Sequence, residues 1–473
     1  MGGVPIELKQ NIKLLGLTID NKLTFNTHIS LTCKKAINIY KKLAKAAKVS
    51  WGLHPEVIRT IYTAAIEPII LYAASAWAPS ANKLGARKQF GTVQRGFAQK
   101  ICRAYRTVSL DSALVLAGML PLDLRISEAA SLYEAKKGVS QSVLGDREIE
   151  RMTPYTEMPH PAKLISMKFD HLVDVNQYNA IDLNTTRIFT DGSKIEGKVG
   201  AAISIWTGQV EIKNIKLALP TYATVYQAEL LALRRAASEV NKSKAVTFGI
   251  FSDSMAALMT ATNPTSPHPL SLEFRKEISE SMSKGKTINI YWIKAHVGFE
   301  GNERADILAK EAAIGSKRRP DYDLCPVSFV KRAIRDRTIG EWDERYRSGT
   351  TATVTKLFYP NVVEAYRKVR KTAPTALVTQ LMTGHGGFSA YLARFKCKED
   401  PSCTCEPGTE ETVTHIVAEC PIFAKLRSDT ELQLGEAISP SNFHKLITGE
   451  NSDVFLDYCK KIVRIVNEKN VNK

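Results

Sequence analysis

The sequence predicts an α/β domain at its centre, about 130 residues around a mixed sheet of five strands, flanked by mainly helical N- and C-terminal regions. Three observations carry that prediction. Between 187 and 314, short apolar runs separated by turn residues give way to helical periodicity and back again. The stretch before it repeats its apolar positions at helical spacing, as does most of the chain beyond 314. At 473 residues, with 44% hydrophobic and 24% charged side chains, the chain has a globular rather than a disordered composition and enough length for several cores.

Taken in order, "THISLTCKKAINIYKKLAKAAK" sets Ile29, Ala36, Ile37, Tyr40 and Leu43 on one helical face. Amphipathic segments follow at 55–77 and 88–105, so residues 1–140 read as a basic helical region. Periodicity weakens over 141–186, where "MTPYTEMPHPAK" is proline-marked, and this stretch reads as a linker or connection. "RIFTDGS", "GAAISIWT" and "QVEIKNIKLAL" are then three successive strands. A helix follows at "TVYQAELLALRRAASEV", with Tyr226, Leu230, Leu233 and Ala237 on one face. "AVTFGIFSDS" is the fourth strand, helices come at 254–261 and 270–284, "TINIYWIKAH" is the fifth strand, and "NERADILAK" supplies the last helix of the domain at 187–314. Beyond it lie a helical connection (315–390, with helices at 327–346 and 351–382), a Cys/His element (391–425) and a helical tail (426–473).

The formal net charge is +17 and the pI about 9.4. Residues 1–140 hold 20 Lys+Arg against 8 Asp+Glu, clustered in "CKKAINIYKKLAKAAK", "KLGARKQF" and "VQRGFAQKICRAYR". Such a surplus points to a polyanion, with nucleic acid as the expected partner. A solvated helix face is the plainer alternative. The most apolar window, "TIYTAAIEPIILYAASAW", contains Glu67 and Pro68 and reads as packed helices, so no membrane partner is expected. The polar "ELKQNIK" interrupts any secretory core, and eight cysteines in so long a chain do not suggest a disulfide scaffold. An intracellular location, nucleus or cytoplasm, is the expectation.

Acids in the middle domain sit where strands end or helices face inward. Asp191 follows the run "RIFT", Glu229 lies on or beside the apolar face of the first helix, Asp253 ends "FGIFS", and Asp306 sits in the last helix. Asp191 or Asp253 alone could be a helix cap or turn former. Four that converge would repel one another unless a cation offset them. Oxygen-only ligands favour Mg²⁺ or Mn²⁺ over zinc, and two such ions about 4 Å apart suit phosphodiester hydrolysis. His296, on the loop before Asp306, suits proton transfer near neutral pH. Gly298 and Gly301 let that loop flex, and Asn302 is expected to cap the last helix.

"CTCEPGTEETVTHIVAEC" places Cys403, Cys405, His415 and Cys420 as C-x-C-x₉-H-x₄-C. Thiolates and an imidazole suit structural zinc. The Cys-x-Cys spacing is tighter than the usual C-x₂-C, Cys397 is an alternative or additional ligand, and free reduced cysteines are the plainer reading.

"FTDGS", "YQAELLAL", "FSDS" and "HVGFEGNERAD" match the ordered signatures of type 1 ribonuclease H over about 187–314. The resemblance implies a sheet with helices on both faces. It implies that Asp191, Glu229, Asp253 and Asp306 bind two Mg²⁺ ions, and that His296 assists water attack or product departure. It implies cleavage of the RNA strand of RNA–DNA hybrids. "KLLGLTIDNKLTFNTHI" and "VIRTIYTAAIEPIILYAASAW" resemble the region after the reverse transcriptase palm in I/Jockey-like, insect-type non-LTR retrotransposon polyproteins. "TGHGGFSAYLARF" and the Cys/His element resemble their C-terminal part. No Asp-Asp dipeptide occurs, so the usual polymerase metal site is missing and the polymerase part of such an element is an expected partner. The chain is therefore expected to begin downstream of the polymerase core. Two functional readings result: a metal-dependent ribonuclease H, or a catalytically silent nucleic-acid-binding remnant. A third gives RNA binding to the Cys/His tail.

Overall fold

Period-two alternation in the middle of the chain becomes a sheet with two dissimilar faces. The computed structural model describes residues 9–46, 53–139, 141–160, 162, 164, 166–172, 175–182, 184–295, 297–315, 319–370 and 375–471. They divide into two units: Glu134–Ala333, and Met1–Tyr133 together with Ile334–Lys473.

In the middle unit the strands are β1 (Asp170–Leu172), β2 (Thr186–Ile195), β3 (Lys198–Thr207), β4 (Val210–Leu219), β5 (Thr247–Ser252) and β6 (Thr287–Ile293). The helices are α1 (Val225–Lys242), α2 (Met255–Thr262), α3 (Pro269–Ser283) and α4 (Glu300–Gly315). The sheet order is β1-β6-β5-β2-β3-β4, with β2, β3 and β4 antiparallel and β1, β6, β5 and β2 parallel. The sixth strand corrects the five-strand expectation. Its three residues bury only Leu172, too short a pattern to show alternation within a stretch read as linker.

Helices cover both faces. Ile188, Ala201 and Ile203 share a core with Leu230, Leu233 and Ala237 of α1, whereas Phe189 packs with Phe251, Phe299 and Ala305, and Ala202 with Leu308 and Ala309. Adjacent residues of one strand thus serve opposite cores, as the pleat requires. Thr224 and Gln227 form a capping box that fixes where α1 begins. Two glycines set the spacing between layers. A Cβ on Gly192 would lie 2.6 Å from the Glu229 nitrogen of α1, and one on Gly200 would lie 2.5 Å from the Ala309 carbonyl of α4. The two flanking segments are tied to each other, because Cys325 N–H donates to the Glu148 carbonyl at 2.7 Å and Tyr322 Oη to Glu150 at 2.7 Å, and to β4, because Ala218 N–H donates to Asp321 Oδ2 at 2.7 Å.

The second unit draws on both ends of the chain. A hairpin pairs Asn11–Leu14 with Leu17–Asp20, and helices follow at Asn26–Ala46, Pro55–Ile61, Leu84–Ile101 and Leu110–Ala117. One core joins Ile29, Trp77 and Phe97 to Trp342, Phe358, Phe455 and Tyr458. The apolar window near 70 is two helical pieces, Pro55–Leu71 and Ala74–Ala81, bent by 91°; no single helix among the described residues is long and apolar enough to cross a membrane. The helix expected over 351–382 is interrupted: Thr353–Phe358, Val362–Val369 and Ala376–Thr383 are separate. Pro360 cannot continue a helix and biases the residue before it away from helical angles, while Asn361 caps the next one.

The close approach at Gly200 has a measurable consequence. Gly200→Ala should separate β3 from α4 and cost about 1–3 kcal/mol, read as a lower denaturation midpoint at unchanged slope. An unchanged midpoint would mean that the helix tolerates the displacement.

Candidate active site and metal centres

Three elements meet to crowd their carboxylates. β2 carries Asp191, α1 carries Glu229, and Asp253 stands just beyond β5, where the parallel pairing of β2 with β5 brings the two strand ends together. With no side chain at Gly192 the first turns of α1 press against β2, which places Glu229 beside Asp191. One carboxylate oxygen from each of Asp191, Glu229 and Asp253 lies within 4.8 Å of the others.

Asp191 and Glu229 are 7% and 6% exposed, so their charges are poorly solvated. Burial, reinforced by the charges of Asp253 and Asp306, raises the Asp191 carboxyl to about 7. Burial and the same crowding, from Asp191 and Asp253, raise Glu229 well above the usual carboxylate range. The Gly192 N–H offsets both only in part. Asp191 Oδ2 and Glu229 Oε2 are buried without a hydrogen-bond partner among the described residues. Buried oxygens left in this state match a cation site, and an all-oxygen donor set matches a hard divalent ion.

Asp306 of α4 stands apart from that trio. Its Oδ2 is 2.7 Å from Lys310 Nζ one turn later, although its charge still reaches Asp191. The i,i+4 spacing of this acid and lysine is the local sequence signal of that pairing. Asn302 also departs from expectation. The helix starts two residues before it, and its buried side chain donates through Nδ2 to Asp253 Oδ2 at 3.1 Å instead of capping. Trp292 Nε1 donates to the Asp253 carbonyl at 2.9 Å, so Asp253 is steadied from two sides. Neither contact has a local sequence signal, since each spans about 40 residues or more. His296 lies outside the described residues; Gly298 beside it has φ +91°, a conformation glycine adopts freely.

A second donor set lies in the other unit. Cys403, Cys405, His415 and Cys420 each offer one atom, all within 4.8 Å of one another. Bonds of about 2.3 Å at tetrahedral angles would put two thiolates about 3.8 Å apart. Cys403 Sγ is 3.8 Å from Cys420 Sγ, and Cys405 Sγ is 3.2 Å from His415 Nε2. A single wide turn, His415–Glu419, replaces the regular helix and returns the chain so that Cys420 N–H donates to the His415 carbonyl at 2.7 Å. Burial raises both the Cys403 thiol, to about 12, and the Cys420 thiol, so thiolates here need a cation. Cys397 is exposed and not part of the set.

Residues 184–314 match the RNase H family model. The chain is also similar to a retrovirus-related Pol polyprotein from type-1 retrotransposable element R1 4 of Nasonia vitripennis, 29% identical over 147 residues, covering 31% of this chain and 36% of that one. The corresponding R1 polyprotein of Popillia japonica is 27% identical over 213 residues, 44% of this chain and 80% of that one. Among solved structures, the N-terminal RNase H domain of rv2228c from Mycobacterium tuberculosis, fused to maltose-binding protein, aligns with 27% of this chain and 94% of that chain, at 21% identity and a TM-score of 0.23. The chain spans about a third of the length of the Nasonia relative.

The raised carboxyls fix the sign of a pH effect. A carboxyl held above its unfolded value keeps a proton that the unfolded chain releases. Its contribution is therefore fully present below the ordinary range near 4 and is lost as pH rises through about 7. Metal-free protein should thus lose stability from pH 5 to 8, and Mg²⁺ or Mn²⁺ should restore more of it at pH 8 than at pH 6. Asp191→Asn should raise metal-free stability at pH 8 by on the order of 2 kcal/mol and abolish the metal-induced shift. Thermal melts with EDTA or metal decide it; a metal shift independent of pH would remove the carboxylates from the account.

Proposed function

We propose, from an RNase H domain at 184–314, that this chain hydrolyses the RNA strand of RNA–DNA hybrids in a divalent-metal-dependent reaction. The observation that carries this reading is the trio of crowded carboxylates with buried, unpartnered oxygens. Asp191, Glu229 and Asp253 would hold two ions, Mg²⁺ or Mn²⁺, with Asp306 joining them once its carboxylate leaves Lys310. When bound, such ions supply Lewis acidity at the attacking and leaving oxygens of the phosphodiester. Asn302 keeps Asp253 oriented toward the other two acids, so that the donor set is assembled before substrate arrives. His296 would carry the proton that the attacking water loses or the departing 3′-oxygen gains. Selection of the RNA strand would rest on contacts to its 2′-hydroxyls. The basic surplus of residues 1–140 would add backbone affinity that salt weakens.

In the same reading Cys403, Cys405, His415 and Cys420 hold a structural Zn²⁺, and the polymerase part of an R1-like element is the natural partner. A silent binding remnant is the alternative, and one assay separates the two. With Mg²⁺ and labelled hybrid, the wild type should cut the RNA strand, Asp253→Asn should bind without cutting, and His296→Ala should be slower by about 10²-fold. Binding without cleavage by the wild type would favour the silent remnant.

Zinc has its own check. The purified chain should contain one equivalent of zinc by elemental analysis, and Cys420→Ser should lose it along with several degrees of melting temperature. Hybrid cleavage should persist in that variant. Zinc-free protein that melts like the wild type would sink the assignment.

A further inference from the structure

In the unit built from both chain ends, guanidiniums converge on a small cavity away from the Cys/His set. Arg59, Arg125, Arg335 and Arg370 line a concavity of about 180 Å³, with Glu67 the one acid among the described residues that line it, and with Tyr366 and Thr63. Their partners explain how they are held there. Arg125 Nη1 donates to Glu128 Oε2 at 3.2 Å and its Nε lies 3.5 Å from Glu67. Arg335 Nε donates to Glu128 Oε1 at 2.5 Å. Arg59 Nη1 donates to the Ala117 carbonyl at 2.7 Å, and its Nε faces Glu56 at the rim at 3.3 Å. The Tyr366 hydroxyl oxygen accepts from both Arg335 and Arg370 at 2.7 Å.

Each guanidinium carries five donors, and the bonds to described residues engage a minority of them. Four like charges around one hollow repel, and the acids that answer them, Glu67, Glu128 and the exposed Glu56, are fewer. An anion would relieve the surplus. A hollow of that size has room for one phosphate group with ordered water, and it lies below the roughly 300–1,000 Å³ usual for pockets that take larger ligands. The planar forks of arginine match phosphate oxygens in pairs. A hollow this small, only partly open to solvent, admits the end of a strand more readily than its middle, and a terminal monoester carries about −1.5 to −2 charge where a diester carries less.

We propose that this pocket binds a terminal phosphate monoester of a nucleic-acid strand. The strand rests on the nucleic-acid reading above; the phosphate rests on the pocket alone. The test uses the full chain and one single-stranded oligonucleotide bearing a 5′-phosphate, a 3′-phosphate or hydroxyls at both ends, followed by fluorescence anisotropy. Thermal melts in inorganic phosphate against chloride at equal ionic strength form the second arm.

One phosphorylated end should bind at least ~5-fold tighter than the hydroxyl form, and inorganic phosphate should raise the melting temperature. Arg370→Ala, at an exposed position, should erase both effects with the circular dichroism spectrum unchanged, and Arg59→Gln should weaken both. Oligonucleotides that bind equally whatever their ends would overturn the proposal, as would a preference that survives both variants. A phosphate shift without any end preference would leave a free-phosphate site and overturn the assignment to strand ends. No binding by any oligonucleotide would instead mark the nucleic-acid reading as the part that failed.

Discussion

Mutual repulsion among buried carboxylates is the constraint around which the middle unit is arranged. Asp191 and Glu229 are held close by backbone packing, because β2 and α1 meet where Gly192 has no side chain. The repulsion is a standing destabilisation, offset by the apolar packing on both faces of the sheet. A fold that stores unfavourable electrostatics in one corner keeps Asp191, Glu229 and Asp253 assembled ahead of any cation, whereas Asp306 is held by Lys310. Lys310 shows the same logic one step further out. Its ammonium lies beside Asp306, where it supplies positive charge to the edge of the acidic cluster.

The strands and helices of this unit were legible because each satisfies one simple periodicity over enough residues. Strands of six to ten residues alternate or run apolar, and α1 carries a complete capping signal. The three-residue β1 was not legible, since too few residues leave no period to count. The broken helix beyond 350 misled for a related reason: its apolar spacing persists across Pro360, although the chain cannot.

The acids stood out in the sequence because they end apolar runs, where a charge needs a reason. Their supports did not. Asn302 looked like a cap because it follows a glycine loop, yet its bond to Asp253 crosses 49 positions of sequence. The four arginines of the small pocket come from 59, 125, 335 and 370, and no local pattern joins residues so far apart. The wide turn at His415–Glu419 shifts the geometry that regular helical spacing would give Cys420.

The shared core of the two chain ends bears on the order of folding. Leu110–Ala117 packs against Val362–Val369, and Ser112 and Cys102 accept hydrogen bonds from Thr355 and Thr379, more than 240 residues later. During synthesis at about 5–20 residues per second, the early helices would wait tens of seconds for those partners. Residues 134–333 carry their own sheet and cores, so they can mature in that interval. The amino-terminal helices meanwhile present an apolar face whose complement has not yet been made. The lysines dense in this segment carry like charge, and like charge opposes self-association of an exposed apolar face.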